Sequence, residues 1–206
     1  MDRNNYFQQI TDIKDIIEKN TKFKALSGLS AILAGIYALI GVVIAKLIIN
    51  RSESIIYLEL KNLKFSSQLY KIILIALLVF ICSLITGIYF SEKNAKKNNS
   101  KLWTPVAKRV FLNFSIPMLI GAIFCISVIL KGYIDLISPI CLLFYGLSLL
   151  NISYFTFSET KILGYSILFV GCLALFFSGF GLYLWALGFG VFHIVYGIYI
   201  HIKYEK

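Results

Sequence analysis

Acidic residues are scarce in this chain. Ten Asp and Glu stand against 20 Lys and Arg among 206 residues, and only 15% of residues are charged. A soluble domain carries about a quarter charged residues, so a soluble globular chain is excluded. With 3 Pro and 14 Gly and no short repeat, collagen and Pro-rich disorder are excluded too. The 4 Cys include no C-x-x-C pair and do not make a disulfide scaffold. There are 2 His, and no H-E-x-x-H, G-x-S-x-G or paired intramembrane acid. Metal, nucleophile and acid–base constellations are therefore missing, and no enzyme activity is expected. What is present is oil: 59% of residues are hydrophobic and the mean hydropathy is +0.82.

The oil is arranged in six runs of membrane length, roughly residues 25–49, 70–90, 110–130, 136–157, 162–180 and 182–202. About 20 apolar residues suffice to cross a hydrocarbon core of about 30 Å. The runs do not alternate apolar with polar, as barrel strands would. All ten carboxylates fall outside them: Asp2, Asp12, Asp15, Glu18, Glu53, Glu59, Glu92, Asp135, Glu159 and Glu205. The break between the last two runs rests on Ser178, Gly179 and Gly181, which demands a tight hairpin.

The basic residues explain the net charge of +10 as topology. Fourteen Lys and Arg lie on the side that holds both termini, and five on the other. Lys46 sits near the outer end of the first run, where its stem can snorkel. By the positive-inside rule both termini face the cytoplasm. This reading assigns the charge to topology and lipid contact, and expects no direct nucleic-acid binding. The longest loops are residues 50–69 outside and 91–109 inside; the latter, rich in Lys, Asn and Ser, is expected to be a mobile strap.

Residues 1–24 form a separate segment. Tyr6, Ile10, Ile13 and Ile17 recur at helical spacing among charged residues, and Asn4 or Asn5 can cap such a helix. It either lies in the inner leaflet against anionic headgroups, packs across the cytoplasmic ends of the spans, or docks a partner protein. Residues 25–206 are then one six-span bundle. The expected fold is all-α: a polytopic six-helix transmembrane bundle with amino and carboxyl termini cytoplasmic and an amphipathic amino-terminal helix.

Lipid gives no hydrophobic drive for helix association, so small residues mark close contacts. Gly28, Ala31, Gly35 and Ala38 line one face of the first span, Gly164 and Gly171 repeat in the fifth, and Gly190 and Gly197 in the sixth. A seven-residue period suits a left-handed, compact bundle with shallow crossings. Pro117 is expected to kink the third span, with the Asn113 amide near the freed backbone groups.

Polar groups at depth are few. His193 lies about ten residues from the inner end of the sixth span, about 15 Å deep. It shares the small-residue face, flanked by Trp185, Phe189, Phe192 and Tyr196. A buried imidazole requires a partner. Tyr145 in the fourth span and Tyr37 in the first reach similar depth, with Ser148 and Asn151 adjoining. These five residues make the expected polar core node, either a packing hydrogen-bond node or a small pocket that binds a ligand or senses protons. His193 and His201 are on one helix and cannot clamp a haem between them, so no cofactor and no metal are expected. Cys82, Cys125, Cys141 and Cys172 read as small buried hydrophobes, and no disulfide is expected although Cys125 and Cys141 fall in the outer halves of neighbouring spans.

Three stretches carry a resemblance: TKFKALSGLSAILAGIYALIG ending at Gly41, LISPICLLFYGLSLLNISYFT from Leu136 to Thr156, and LWALGFGVFHIVYGIYIHIKYE from Leu184 to Glu205. Together they resemble a family of small six-span bacterial integral membrane proteins of no assigned activity, and cover about a third of the chain. The resemblance implies an inner-membrane, multi-pass protein. It also implies a neighbouring gene for a small winged-helix regulator, hence a cytoplasmic regulatory protein as partner. Where the family has Ser-Lys-Tyr-Thr, this chain has Ser153, Tyr154, Phe155 and Thr156, so a basic residue is lost. The sequence-level expectation is a membrane binding, sensing or regulatory module whose partners are the lipid bilayer, a cytoplasmic protein and a second copy of the chain. The alternative is a transporter or channel for a neutral or apolar solute, since cation coupling commonly uses an intramembrane acid.

Overall fold

A computed structural model describes residues 27–97 except 51–66, then 103–177 and 179–205. The amphipathic segment expected over residues 1–24 lies outside the described residues. Six helices are long and apolar enough to cross a membrane, the mark of a multi-pass helical membrane protein. They are α1 (Gly28–Asn50), α2 (Ser67–Lys97), α3 (Pro105–Leu130), α4 (Ile137–Ser153), α5 (Glu159–Phe176) and α6 (Gly181–Glu205). A single 3₁₀ turn, Ile134–Leu136, leads into α4.

The helices begin and end for local reasons. At the start of α3, Thr104 Oγ1 accepts the Ala107 N–H at 3.1 Å, and Pro105 takes the first helical position, where its missing N–H costs nothing. At its end, Gly132 adopts φ 80°. There the Tyr133 N–H reaches Val128 O at 2.8 Å and the Gly132 N–H reaches Ile129 O at 3.0 Å, closing a Schellman motif. Helix α3 runs on through Pro117, and Asn113 Nδ2 donates to Arg109 O at 2.8 Å, one turn back from the carbonyl that Pro117 frees. The expected tight hairpin between α5 and α6 is present: Gly179 has φ 88°, a conformation that glycine tolerates best. Ser138 Oγ donates to Gly181 O at 2.6 Å and pins that hairpin to the start of α4.

The strap expected over residues 91–109 is shorter than the sequence implies. Helix α2 runs on to Lys97 and α3 starts at Pro105. Beyond the apolar run α2 is carried by good helix formers and by an i,i+4 pair, Glu92 to Lys96 at 2.8 Å.

Helix α6 is the hub, packed on α1 to one side and on α4 and α5 to the other. Helix α2 leans on α1, and α3 leans on α4. The densest core lies in the α4–α5 hairpin, built of Leu142, Leu149, Ile152, Leu163, Ile167, Val170 and Ala174. Gly146 and Gly164 oppose one another there: a Cβ on either would meet the other's carbonyl oxygen at 3.1 and 3.2 Å.

The α1–α6 contact is closer still. A Cβ on Gly28 would lie 2.5 Å from Gly197 O, and one on Gly197 would lie 2.6 Å from Gly28 O. Seven residues along, a Cβ on Gly35 would lie 2.6 Å from Gly190 O. One step of seven forward on α1 matches one step of seven back on α6, so the two helices cross antiparallel, backbone on backbone. Ala31 is only half-buried beside this row, whereas Ala38 and Ala45 are buried on α1. At the far end of the same helix Lys46 Nζ lies 5.0 Å from the centroid of the Tyr183 ring, a cation–π contact.

Candidate functional site

Helix α6 is not uniformly α-helical. Residues Ala186–Val191 and His201–Glu205 are wound as π-helix, with bonds spanning five residues instead of four. Within the first wide turn the Phe192 N–H bonds Leu187 O. The widening brings residues five apart nearly over one another, and the His193 ring settles over Gly188. His193 Nδ1 lies 3.0 Å from Gly188 O and Nε2 lies 2.7 Å from Tyr145 Oη.

These partners define the proton positions. A carbonyl oxygen only accepts, so Nδ1 carries the hydrogen. Nε2 of the neutral ring then accepts from the Tyr145 hydroxyl. His193 is buried at 6% exposure with both nitrogens used. Tyr145 packs edge-on against Phe114 of α3, with centroids 5.8 Å apart, and lies 4.9 Å from Phe189. Trp185 continues the aromatic layer, 4.8 Å from Phe189. The node therefore joins α3, α4 and α6.

The structure brings together His193 and Tyr145, and places Ser148 beside them in a different role. Ser148 is fully buried, but its hydroxyl donates to Phe144 O of its own helix at 2.9 Å. Two members of the expected node are corrected. Tyr37 turns toward α2, with its hydroxyl 3.4 Å from Thr86 Oγ1. Asn151 is exposed on the outer face of α4. Each is set apart from His193 by its direction around the helix axis.

Two further polar clusters went unread in the sequence. One turn below His193, Tyr196 Oη lies 2.8 Å from Thr160 Oγ1 at the start of α5. Thr160 Oγ1 is 3.3 Å from Thr156 Oγ1, which donates to Ile152 O at 2.9 Å. Both threonines are buried. Tyr145–His193 and Thr156–Thr160–Tyr196 thus form two polar rungs along the α4–α5–α6 seam.

The second cluster closes the end of the bundle where α6 finishes. Glu205 Oε1 accepts the Gly28 N–H at 2.7 Å and Asn94 Nδ2 at 3.1 Å, while Oε2 meets His201 Nδ1 at 2.5 Å. A carboxylate from α6 thereby caps the amino terminus of α1, where free N–H groups and the helix dipole favour negative charge. Beside it, Glu159 Oε1 meets Lys203 Nζ at 2.5 Å and Tyr204 Oη at 3.2 Å, tying α6 to α5. The available signal was His201 and Glu205 four apart on the last turn, the one acid there. Glu205→Ala is expected to destabilise the protein by about 1 kcal/mol, the usual cost of a lost helix cap. The check is thermal unfolding in detergent alongside hydrogen exchange, with faster exchange concentrated at residues 28–31.

No group of three or more His, Cys, Asp or Glu suited to a metal ion occurs among the described residues. Comparisons with protein-family models, with curated proteins and with solved structures find no match.

Proposed function

We propose that this chain is a small sensing or regulatory module of a bacterial inner membrane, with both termini cytoplasmic. The orientation rests on the excess of Lys and Arg at the end of the bundle where α2 and α6 finish and α3 and α5 begin. One observation carries the functional reading. At that end, Glu205 and the Glu159–Lys203–Tyr204 group fasten the last turn of α6 to α1, α2 and α5. Charge approaching from a headgroup layer or from a docked cytoplasmic protein competes for these groups. Its effect passes into the α1–α6 glycine crossing, whose closest point, Gly28 to Gly197, lies directly above the carboxylate. The paired His193 and Tyr145 hold the register that such a signal shifts.

Purified full-length protein in vesicles with and without anionic lipid tests this. Hydrogen exchange at residues 28–31 and 201–205 is expected to change with anionic lipid, while the α4–α5 core stays constant. Efflux of glycerol or another neutral solute above that of empty vesicles would move the reading to transport.

A further inference from the structure

The fold brings two thiols together. Cys125 lies on α3 five residues before its end at Leu130, and Cys141 lies on α4 four residues past its start at Ile137. Their Sγ atoms are 3.7 Å apart. Both are free and half-buried. Closing a disulfide requires sulfurs about 2.05 Å apart, an approach of roughly 1.7 Å.

The site is also within reach of a reagent. Helix α3 has 26 residues. At 1.5 Å per residue it is about 39 Å long, roughly 9 Å more than the hydrocarbon core. With the excess shared between its ends, Cys125 lies about 3 Å below the hydrocarbon boundary. The consequence of closure falls on a helix whose packing is almost entirely against α4. Helix α3 packs on α4, with Gly121 set against the Phe144 side chain, and it contributes Phe114 to the layer around Tyr145.

We propose that Cys125 and Cys141 are a reversible dithiol–disulfide site that fastens α3 to α4 at the end of the bundle remote from Glu205. The oxidant is a small disulfide. The Cys125 thiolate attacks one sulfur of the reagent, forming a mixed disulfide and expelling a thiolate that takes up the Cys125 proton. The Cys141 thiolate then attacks Cys125 Sγ, expelling the second thiolate, which takes up the Cys141 proton. Two cysteine thiols are oxidised to one disulfide, and the reagent is reduced to two thiols. Excess small thiol reverses both steps.

The test uses the full chain carrying Cys82→Ser and Cys172→Ser, in detergent, exposed to 2-hydroxyethyl disulfide and then to a maleimide mass tag under denaturing conditions. The expected result is loss of both tags, a monomer on a non-reducing gel and a mass lower by two hydrogens, all restored by dithiothreitol. Closure is expected to raise the melting temperature by about 5 °C. Adding Cys141→Ser should leave Cys125 as a stable mixed disulfide with no gain in melting temperature. Two thiols that stay taggable, a mixed disulfide on each cysteine, or a covalent dimer would overturn the proposal.

Discussion

Gly197→Val lowers the melting temperature of the solubilised protein by roughly 10 °C, or prevents folding altogether. The reason is geometric. A Cβ at Gly197 meets Gly28 O at 2.6 Å and Ile32 N at 2.7 Å, and both are backbone atoms of a neighbouring helix. A flexible side chain could swing away, but a helix backbone moves only as a whole. Overpacking typically costs 1–3 kcal/mol, and a site that cannot relax lies at the upper end or beyond. At about 2–4 °C per kcal/mol for a chain of this size, 3 kcal/mol gives the stated shift. Gly87→Ala on α2 is the control, since a Cβ there meets nothing within 4 Å. It should be neutral or slightly stabilising, by about 0.5 kcal/mol, through the lower backbone entropy of alanine. Equal melting temperatures for Gly197→Val and the parent chain would mean that α1 and α6 do not cross at their glycines.

The second large effect belongs to the His193 node. His193→Leu leaves the Tyr145 hydroxyl without an acceptor and removes the side-chain donor to Gly188 O. Stranding a buried polar group costs about 1–3 kcal/mol, so a loss of about 3 kcal/mol is expected. Tyr145→Phe strands only Nε2 and should cost about 1.5 kcal/mol. The double variant should cost less than the sum of the two, by about 1 kcal/mol, because neither partner then waits for the other. Denaturant or thermal unfolding of the four proteins in one detergent gives the cycle. Strict additivity would break the hydrogen bond between the two side chains as a stabilising feature.

How much of this site was legible depends on which coordinate is asked for. Depth along the membrane normal could be read from residue counts, and His193, Tyr145 and Tyr37 reach comparable depth by that count. Azimuth could not. In a soluble helix the apolar stripe points to the core, but in lipid both core and surroundings are apolar, so the pattern does not orient the helix. Tyr37 therefore went to Thr86 of α2, and Asn151 to the exterior of α4. Glycine spacing did carry azimuth, because small residues are placed for close approach. Gly28, Gly35, Gly190 and Gly197 all lie at the α1–α6 crossing, and Gly164 with Gly171 on the α5 face toward α4.

What the chain's order of residues determined by itself is the set of six spans and the exclusion of acids from their interiors. Both are local demands: an oily medium offers no partner for a free amide, so each segment must close its own backbone bonds over about 20 residues. Only the tertiary structure decided the wide turn at Ala186–Val191 that sets His193 over Gly188, the capping of α1 by Glu205, and the meeting of Cys125 with Cys141. These depend on helix rotations and register shifts of a few ångström between segments far apart in the chain, which the local pattern of apolar and polar residues does not encode.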